Sequence, residues 1–304
     1  MAQYQIYAER DATIYEKHEY RNTGIDQILE IKSTKSGSRP DDLFLTDTVN
    51  SRILVSFAGS QFTALSQSIV DGEIGATARK FYLNIKGIYA SDLPQTYSIK
   101  AYPISESWTN GNGNEADEPE TRNGVSWRYR SGYDAQIEWA TGSAHSGGTS
   151  AGVTQPFGGG TWITGSGFEA SQSFDYEDID IRMDVTDIVN KWLNGTVTNN
   201  GFMIKLPYET ETVGRENFNL KFFAKDTHTV YAPRLECVWR DSENTGTSLI
   251  ETNATASGGP IVYFKNIEEK YPEGSRVQFR LGVRSKYPVK TYTTASSYTT
   301  TEKL

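Results

Sequence analysis

The sequence predicts an all-β fold: an antiparallel β-sandwich with one short helix and a small C-terminal β arm. Three observations point there. Apolar residues alternate with polar ones in segment after segment, the period of a strand with one buried face. Only 37% of the 304 residues are hydrophobic, yet 12% are aromatic, and a core of few, large side chains suits strands better than a helical bundle. The 27 glycines, among abundant Thr, Ser and Asn, supply many turns and little helix.

In chain order, Ile53, Val55 and Phe57 point one way, and after a polar stretch Phe81, Leu83 and Ile85 repeat the pattern. Ile179, Ile181, Met183 and Val185 alternate with Asp178, Asp180, Arg182 and Asp184, giving one buried and one charged face. Phe202, Ile204 and Leu206 follow, then Phe218, Leu220 and Phe222, then Leu235, Cys237 and Trp239. Strands that face water on one side mark antiparallel sheets, and two of these packed face to face make a sandwich. The rhythm breaks once. Ile188, Val189, Trp192 and Leu193 sit at helical spacing, which predicts a helix over about 186–194. Thr186 is its expected N-cap, Asp187 favours the positive end of the dipole, and Gly195 stops it.

Two insertions interrupt this sandwich domain of residues 1–240. The first, 109–123, is acidic, with Glu115, Asp117, Glu118 and Glu120 among glycines and asparagines. The second, 131–173, carries nine glycines between Thr141 and Ala170, with Trp139, Phe157, Trp162 and Phe168 spaced through it. Loops this long inside a compact domain are usually functional or disordered, and aromatics set in glycine suggest docking. These four are the expected binding residues. A linker at 241–260 leads to an arm at 261–304, with strands at Ile261–Phe264 and Val277–Val283 and a turn at Tyr271-Pro272-Glu273-Gly274. So few core positions make a marginal independent fold, so the arm is expected to pair with a neighbouring chain or lie on the first domain.

Composition excludes several classes. Thirty Lys and Arg against 38 Asp and Glu leave a net charge of −8, which argues against nucleic acid as a direct partner. One cysteine, Cys237, forms no internal disulfide framework. No apolar run approaches the ~18 residues of a membrane span. Residues Met1–Arg10 lack the basic and apolar regions of a signal peptide, which leads us to expect synthesis in a reducing cytoplasm.

Catalysis finds little footing. His18, His145 and His228 lie in unrelated contexts, without metal-site spacing. Gly158-Gly159-Gly160 precedes no phosphate-binding lysine and opens no helix. Glu177, Asp178, Asp180, Asp184 and Asp187 form the densest acidic cluster, but a general acid needs a desolvated site and a solvated strand face does not supply one. Asn110, Asn112, Asn114, Glu115 and Asp117 offer oxygens at alternate positions, without the glycine and final glutamate of a helix–loop–helix calcium site. No catalytic residue, metal site or cofactor is expected.

A series of blocks resembles the DNRLRE-type β-sandwich modules. It opens with Asp11-Ala12-Thr13-Ile14, Asn22-Thr23-Gly24, Ile28–Ile31 and Ser51–Phe57. Trp108-Thr109 and Gly124-Val125-Ser126-Trp127 are similar to that family's paired-tryptophan segment. Asp184–Val189, Trp192–Gly195, Asn200–Phe202 and Pro233–Glu236 complete the order, over about residues 9–240. The resemblance implies a jelly-roll-like sandwich with no catalytic residues. Together with the insertions, the single cysteine, the arm and a faint likeness of Arg280–Pro288 to phage protein endings, it leads us to expect a structural protein of a tailed-bacteriophage virion. Its place would be the tail, neck, fibre attachment or head surface. Its partners would be other virion proteins and copies of itself, with localisation in the virion after synthesis in the host cytoplasm. The alternative is a carbohydrate-binding or adhesion module, whose tryptophans stack on a host surface glycan.

Overall fold

The structure, a computed structural model, describes residues 2–36, 47–75, 79–140, 158–175, 178–212, 217–239, 260–265, 270–274 and 276–285. The chain divides into two compact units, Met1–Asp241 and Ser242–Leu304.

The first unit is an antiparallel β-sandwich with few helices. Its elements are β1 (Ala2–Tyr15), β2 (Ile28–Ser36), β3 (Asp47–Phe57), α1 (Gly59–Val70), β4 (Lys80–Ile85), β5 (Gly87–Ser91), β6 (Thr96–Pro103) and β7 (Ala170–Asp175). They continue with β8 (Ile181–Asp184), α2 (Thr186–Leu193), β9 (Phe202–Lys205), α3 (Tyr208–Thr212), β10 (Phe218–Phe223) and β11 (Arg234–Trp239). The second insertion ends sooner than expected, because Ala170–Ser173 already belong to β7.

Strand β1 serves two sheets. Its first half pairs with β11, Ala2 opposite Trp239 through Tyr7 opposite Arg234, and β11 continues to β4 and then β8. A bulge between Ala8 and Arg10 bends the strand, and its second half pairs with β3, which continues to β9, β6 and β7. An extra residue turns the following side chains to the other face. Ile6 therefore enters the main core, while Ala12 and Ile14 enter a second one. A third ladder runs from the start of β3 through β2 and β10 to β5.

The main core lies between the sheets and holds Ile53, Val55, Phe57, Leu83, Phe202, Ile204, Phe222 and Leu235. Two helices close it. In α2, Ile188, Val189 and Trp192 are buried. Thr186 is the first helical residue rather than the cap: its N–H and hydroxyl both donate to Asp184 Oδ1, at 3.1 and 2.6 Å. Gly195, at φ 73°, ends the helix as expected. The Thr196 N–H reaches Lys191 O at 2.9 Å and the Gly195 N–H reaches Trp192 O at 3.1 Å, the paired closure that needs a left-handed residue. The stretch between β3 and β4 contains α1, which buries Phe62 and Leu65.

Half of the sandwich departs from the expected one-wet-face pattern. The outer face of β1, β3, β9 and β6 carries Ala12, Ile14, Leu54, Met203 and Tyr102, and these form a second core with Trp108, Val125, Trp127, Trp139 and Trp162. The described parts of the connection between β6 and β7, 104–140 and 158–169, cover the sheet and keep water off it. The second unit holds an antiparallel ribbon, β12 (Pro260–Lys265) with β13 (Arg280–Ser285), in which Phe264 faces Leu281.

Candidate functional site

Of the four expected binding residues, Trp139, Trp162 and Phe168 are buried rather than displayed at the surface. Trp139 is buried in the second core, and its indole N–H donates to Ser126 O at 3.0 Å. Trp162 lies in the same core, beneath the Arg52 guanidinium and the Lys205 ammonium, each 5.1 Å from the ring centroid. Phe168 belongs to the main core, with Lys191 Nζ 4.2 Å over its ring. Phe157 lies outside the described residues. The sheet beneath them explains the correction: with Leu54 and Met203 on its outer face, the tryptophans cover apolar surface of their own chain.

The first insertion is anchored. Asn22, wholly buried, donates through Nδ2 to Asn110 O and Val125 O, both at 2.8 Å, and its Oδ1 accepts from Gly113 N at 2.8 Å. Arg21 collects the acids: it donates to Glu115 O and, at 3.0 Å, to Glu118 Oε1, with a Glu120 oxygen 3.9 Å away. Two of the residues weighed for calcium engage their oxygens in turns. Asp117 Oδ2 accepts from Asn114 N and Thr121 Oγ1, while Asn114 Oδ1 accepts from Ala116 N. Among the described residues no group of three or more His, Cys, Asp and Glu could hold a metal ion. Of the acidic cluster, Asp180 pairs with Lys86 and Asp184 with Lys80, at 2.6 and 2.8 Å. Glu177 and His145 lie outside the described residues.

An ionic row without a mark in the sequence crosses three strands and is buried at Arg52, Lys205 and Glu211. Arg52 on β3 sits beside Lys205 on β9, and Lys205 faces Lys100 on β6. Adjacent like charges are destabilising, and two glutamates offset them. Glu211 from α3 receives Arg52 Nε and Nη2 at 3.1 and 2.8 Å, and Lys205 Nζ lies 2.6 Å from its Oε2. Glu169 takes Lys100 at 2.7 Å and the Tyr102 hydroxyl at 2.8 Å. Burial and the neighbouring Arg52 bring Lys205 down to about 8 despite the Glu211 carboxylate, and the two cations hold Glu211 below the usual carboxylate range. Gly158, Gly159 and Gly160, at φ 97°, 92° and 78°, pass so close that a Cβ on Gly160 would lie 2.1 Å from Met203 Cε. The glycine run is a lid on this row, with Gly159 O accepting from Arg52 Nη1.

Among the described residues, three surfaces expose aromatic or apolar side chains. Beside the insertions, Tyr20, Tyr129 and Tyr133 meet with ring centroids 5.5–6.0 Å apart, flanked by Arg122 and Arg128. On the third ladder, β5 stands at the end of the strand order. Tyr89 faces Lys221 and Ile28 faces Phe223, which puts all four on the outer side of that sheet. Tyr231 adds its ring 5.3 Å from Phe223. The opposite ends of the other two sheets are already joined: the Gln172 side chain on β7 donates to Asp180 O at 3.0 Å and accepts from Arg182 N at 2.8 Å. The third surface is the ribbon. Phe264, Phe279 and Leu281 are 55%, 58% and 51% exposed, and the Phe279 ring packs edge-on against Phe264 and Tyr271 at 6.2 and 6.1 Å.

The first unit is thus an antiparallel β-sandwich whose aromatic residues are spent largely inside, with a sheet end and a tyrosine cluster left at its surface. No protein-family model matches the chain, and no curated protein sequence matches it. No helix among the described residues is long and apolar enough to cross a membrane.

Proposed function

We propose that this chain is a structural component of a bacteriophage virion, in the tail, neck, fibre attachment or head surface, and works through contacts between subunits rather than through catalysis. The observation that carries the contact role is the β12–β13 ribbon. An isolated two-stranded hairpin is at best marginal in water and needs further strands or a packing surface. This one turns Phe264, Phe279 and Leu281 outward together. The virion setting draws on the DNRLRE-type series of blocks and the character of the C-terminal arm. The deciding measurement is a density gradient of particles from lysed source culture, followed by peptide mass spectrometry. Co-migration with DNA-filled particles at constant stoichiometry is expected, and recovery only in soluble or cell-wall fractions refutes the proposal.

The tyrosine cluster favours a second reading, recognition of a cell-surface glycan. Tyr133 is exposed, and Arg122 and Glu120 lie beside it as hydroxyl-reading groups. Sugar rings stack on such faces while charged side chains fix orientation. Binding of the full chain to host polysaccharide, lost in Tyr133→Ala, supports it; absence of binding across the host's surface polysaccharides removes it.

A further inference from the structure

Register gives the β12–β13 ribbon two unlike faces. Residues directly opposite in an antiparallel pair share a face, and neighbours along each strand alternate. Phe264 stands opposite Leu281, so these two share one face. Phe279 joins them, its ring edge-on to Phe264 at 6.2 Å, and Tyr271 lies against Phe279 at 6.1 Å. Lys265 stands opposite Arg280 on the other face, beside Tyr263 and the buried Gly282. A Cβ on Gly282 would lie 2.7 Å from Lys265 Cε and from Tyr263 Cζ, so glycine makes the room in which those two side chains lie. The ribbon is apolar on one side and cationic on the other.

Two cations directly opposite each other are destabilising. Among the described residues no carboxylate pairs with Lys265, Lys270, Arg276 or Arg280. In the sandwich, by contrast, the exposed Lys80 and Lys86 each hold an aspartate, at 2.8 and 2.6 Å. Residues 260–290 carry seven Lys and Arg against three Glu, in a chain of net charge −8. A partner that suits this ribbon supplies anions to the cations and hydrocarbon to the opposite face. A polysaccharide or nucleic-acid backbone offers charge but no hydrocarbon for Leu281. A second ribbon stacked on the apolar face would cover four side chains per copy. At roughly 100 Å² each that makes about 800 Å² in all, short of the ~1,000 Å² of a specific interface, and the cations stay unpaired. An anionic lipid surface offers both.

We propose that the β12–β13 ribbon is a membrane-surface anchor. Phe264, Phe279 and Leu281 enter the headgroup–acyl boundary of an anionic bilayer, while Lys265, Lys270, Arg276 and Arg280 engage lipid phosphates. Amphipathic segments settle about 5–10 Å deep in this way, with their cations at headgroup level. Long Lys and Arg stems let the charge reach that level from the far face. Edge pairing of ribbons between subunits uses main-chain groups and leaves the apolar face to lipid.

The test sediments the full-length chain with vesicles of phosphatidylcholine mixed with phosphatidylglycerol, and with vesicles of phosphatidylcholine alone. Binding to the anionic vesicles is expected, and it should be weaker by roughly tenfold on the neutral ones. A similar loss is expected for Phe279→Ser and for Lys265→Gln combined with Arg280→Gln, with the melting of the sandwich unmoved. Phe279→Trp keeps the face aromatic and reports depth: its fluorescence, read against the wild-type signal, should be quenched by lipids brominated near the headgroup end of the acyl chain. Failure to sediment with anionic vesicles overturns the proposal, even where a single-stranded oligonucleotide is bound instead. So does vesicle binding that survives Phe279→Ser and leaves Phe279→Trp unquenched, which is adsorption by charge alone. Vesicle binding and migration with particles are separate readouts, so the anchor and the virion role can fall independently.

Discussion

Replacing Glu211 with glutamine probes the ionic row most directly. The carboxylate is buried and is shared by Arg52 at 2.8 Å and Lys205 at 2.6 Å. Glutamine keeps the shape and one acceptor oxygen but strands two neighbouring cations in a dry site. Breaking a buried pair in this way costs about 3–5 kcal/mol. Arg52 retains Gly159 O and the faces of Trp127 and Trp162, with its guanidinium carbon 4.9 and 5.1 Å from their centroids. Each such ring contact contributes about 1–2 kcal/mol when desolvated, so the lower end, about 3 kcal/mol, is expected. Urea unfolding followed by tryptophan fluorescence would show it as a midpoint lower by roughly 1 M. The deficit must also depend on pH. Lys205 sits at about 8 in the folded protein, below its ordinary 10.5. A depressed ammonium favours the neutral amine on folding, so wild-type stability rises as pH climbs from about 8 towards 10.5. Without Glu211, Lys205 releases its proton at still lower pH, so the variant's deficit narrows as pH rises towards about 8 and levels off above it. Adding Lys205→Met should recover most of the loss, because one buried cation remains instead of two. A deficit under about 1 kcal/mol at pH 7, or one that stays flat with pH, refutes the reasoning.

Asp11 is buried and accepts the Lys225 N–H at 2.6 Å, and burial raises its carboxyl from 3.8 to about 7. The neutral acid is the form the fold prefers, so its contribution is present below pH 3.8 and is lost as pH rises through about 7. At about 1.4 kcal/mol per tenfold change in proton affinity, that is roughly 4 kcal/mol at most, and Asp11→Asn should flatten the pH 4–8 stability profile by that part while keeping the acceptor. Trp139→Ala should cost about 3–5 kcal/mol in thermal or urea unfolding, the range for emptying a large core position; a stable variant that loses only partner binding would return Trp139 to the surface role first expected of it. Gly160→Ala should destabilise by more than the ordinary ~1 kcal/mol surface change, because both the 78° φ and the approach to Met203 oppose a Cβ; an unchanged melting temperature would contradict that geometry.

The main-core face of β3, β4, β8, β9, β10 and β11 was legible because alternation reports a buried face directly. Phe81, Leu83 and Ile85 on β4, and Phe218, Leu220 and Phe222 on β10, are inside as the pattern requires. Other features were masked by their polar surroundings. Phe62, Leu65 and Ile69 recur three and four residues apart, a helical spacing diluted by Ser and Gln, and the stretch read as merely polar. The second core leaves almost no periodic trace, since Trp108, Trp127, Trp139 and Trp162 come from loops whose spacing reflects tertiary packing alone. One signal was available: Leu54 and Met203 stand on faces that a water-exposed sheet would fill with polar residues. Lys205 was hidden for the same reason, because alternation assigns it to solvent when it is 3% exposed. Glu211, in the short segment Tyr208–Thr212, has no pattern at all to mark it.

Covering the outer face of β1, β3, β9 and β6 changes what this sandwich can offer a partner. An antiparallel sandwich ordinarily keeps wet outer faces on which a binding site can be built. Here the tryptophans, the glycine run and an ionic row that needs both its glutamates occupy one of those faces, and partner contact there would have to displace a packed core. Gln172 joins β7 to β8 and closes that end of the sheets to strand addition. Among the described strands of the first unit, the β5 end stays open, and the outer face there carries Tyr89 and Ile28. Strand addition there needs no rearrangement of either core, so its cost is confined to ordering the incoming chain. Changes at Tyr89 should therefore impair assembly while leaving the melting of the sandwich unchanged.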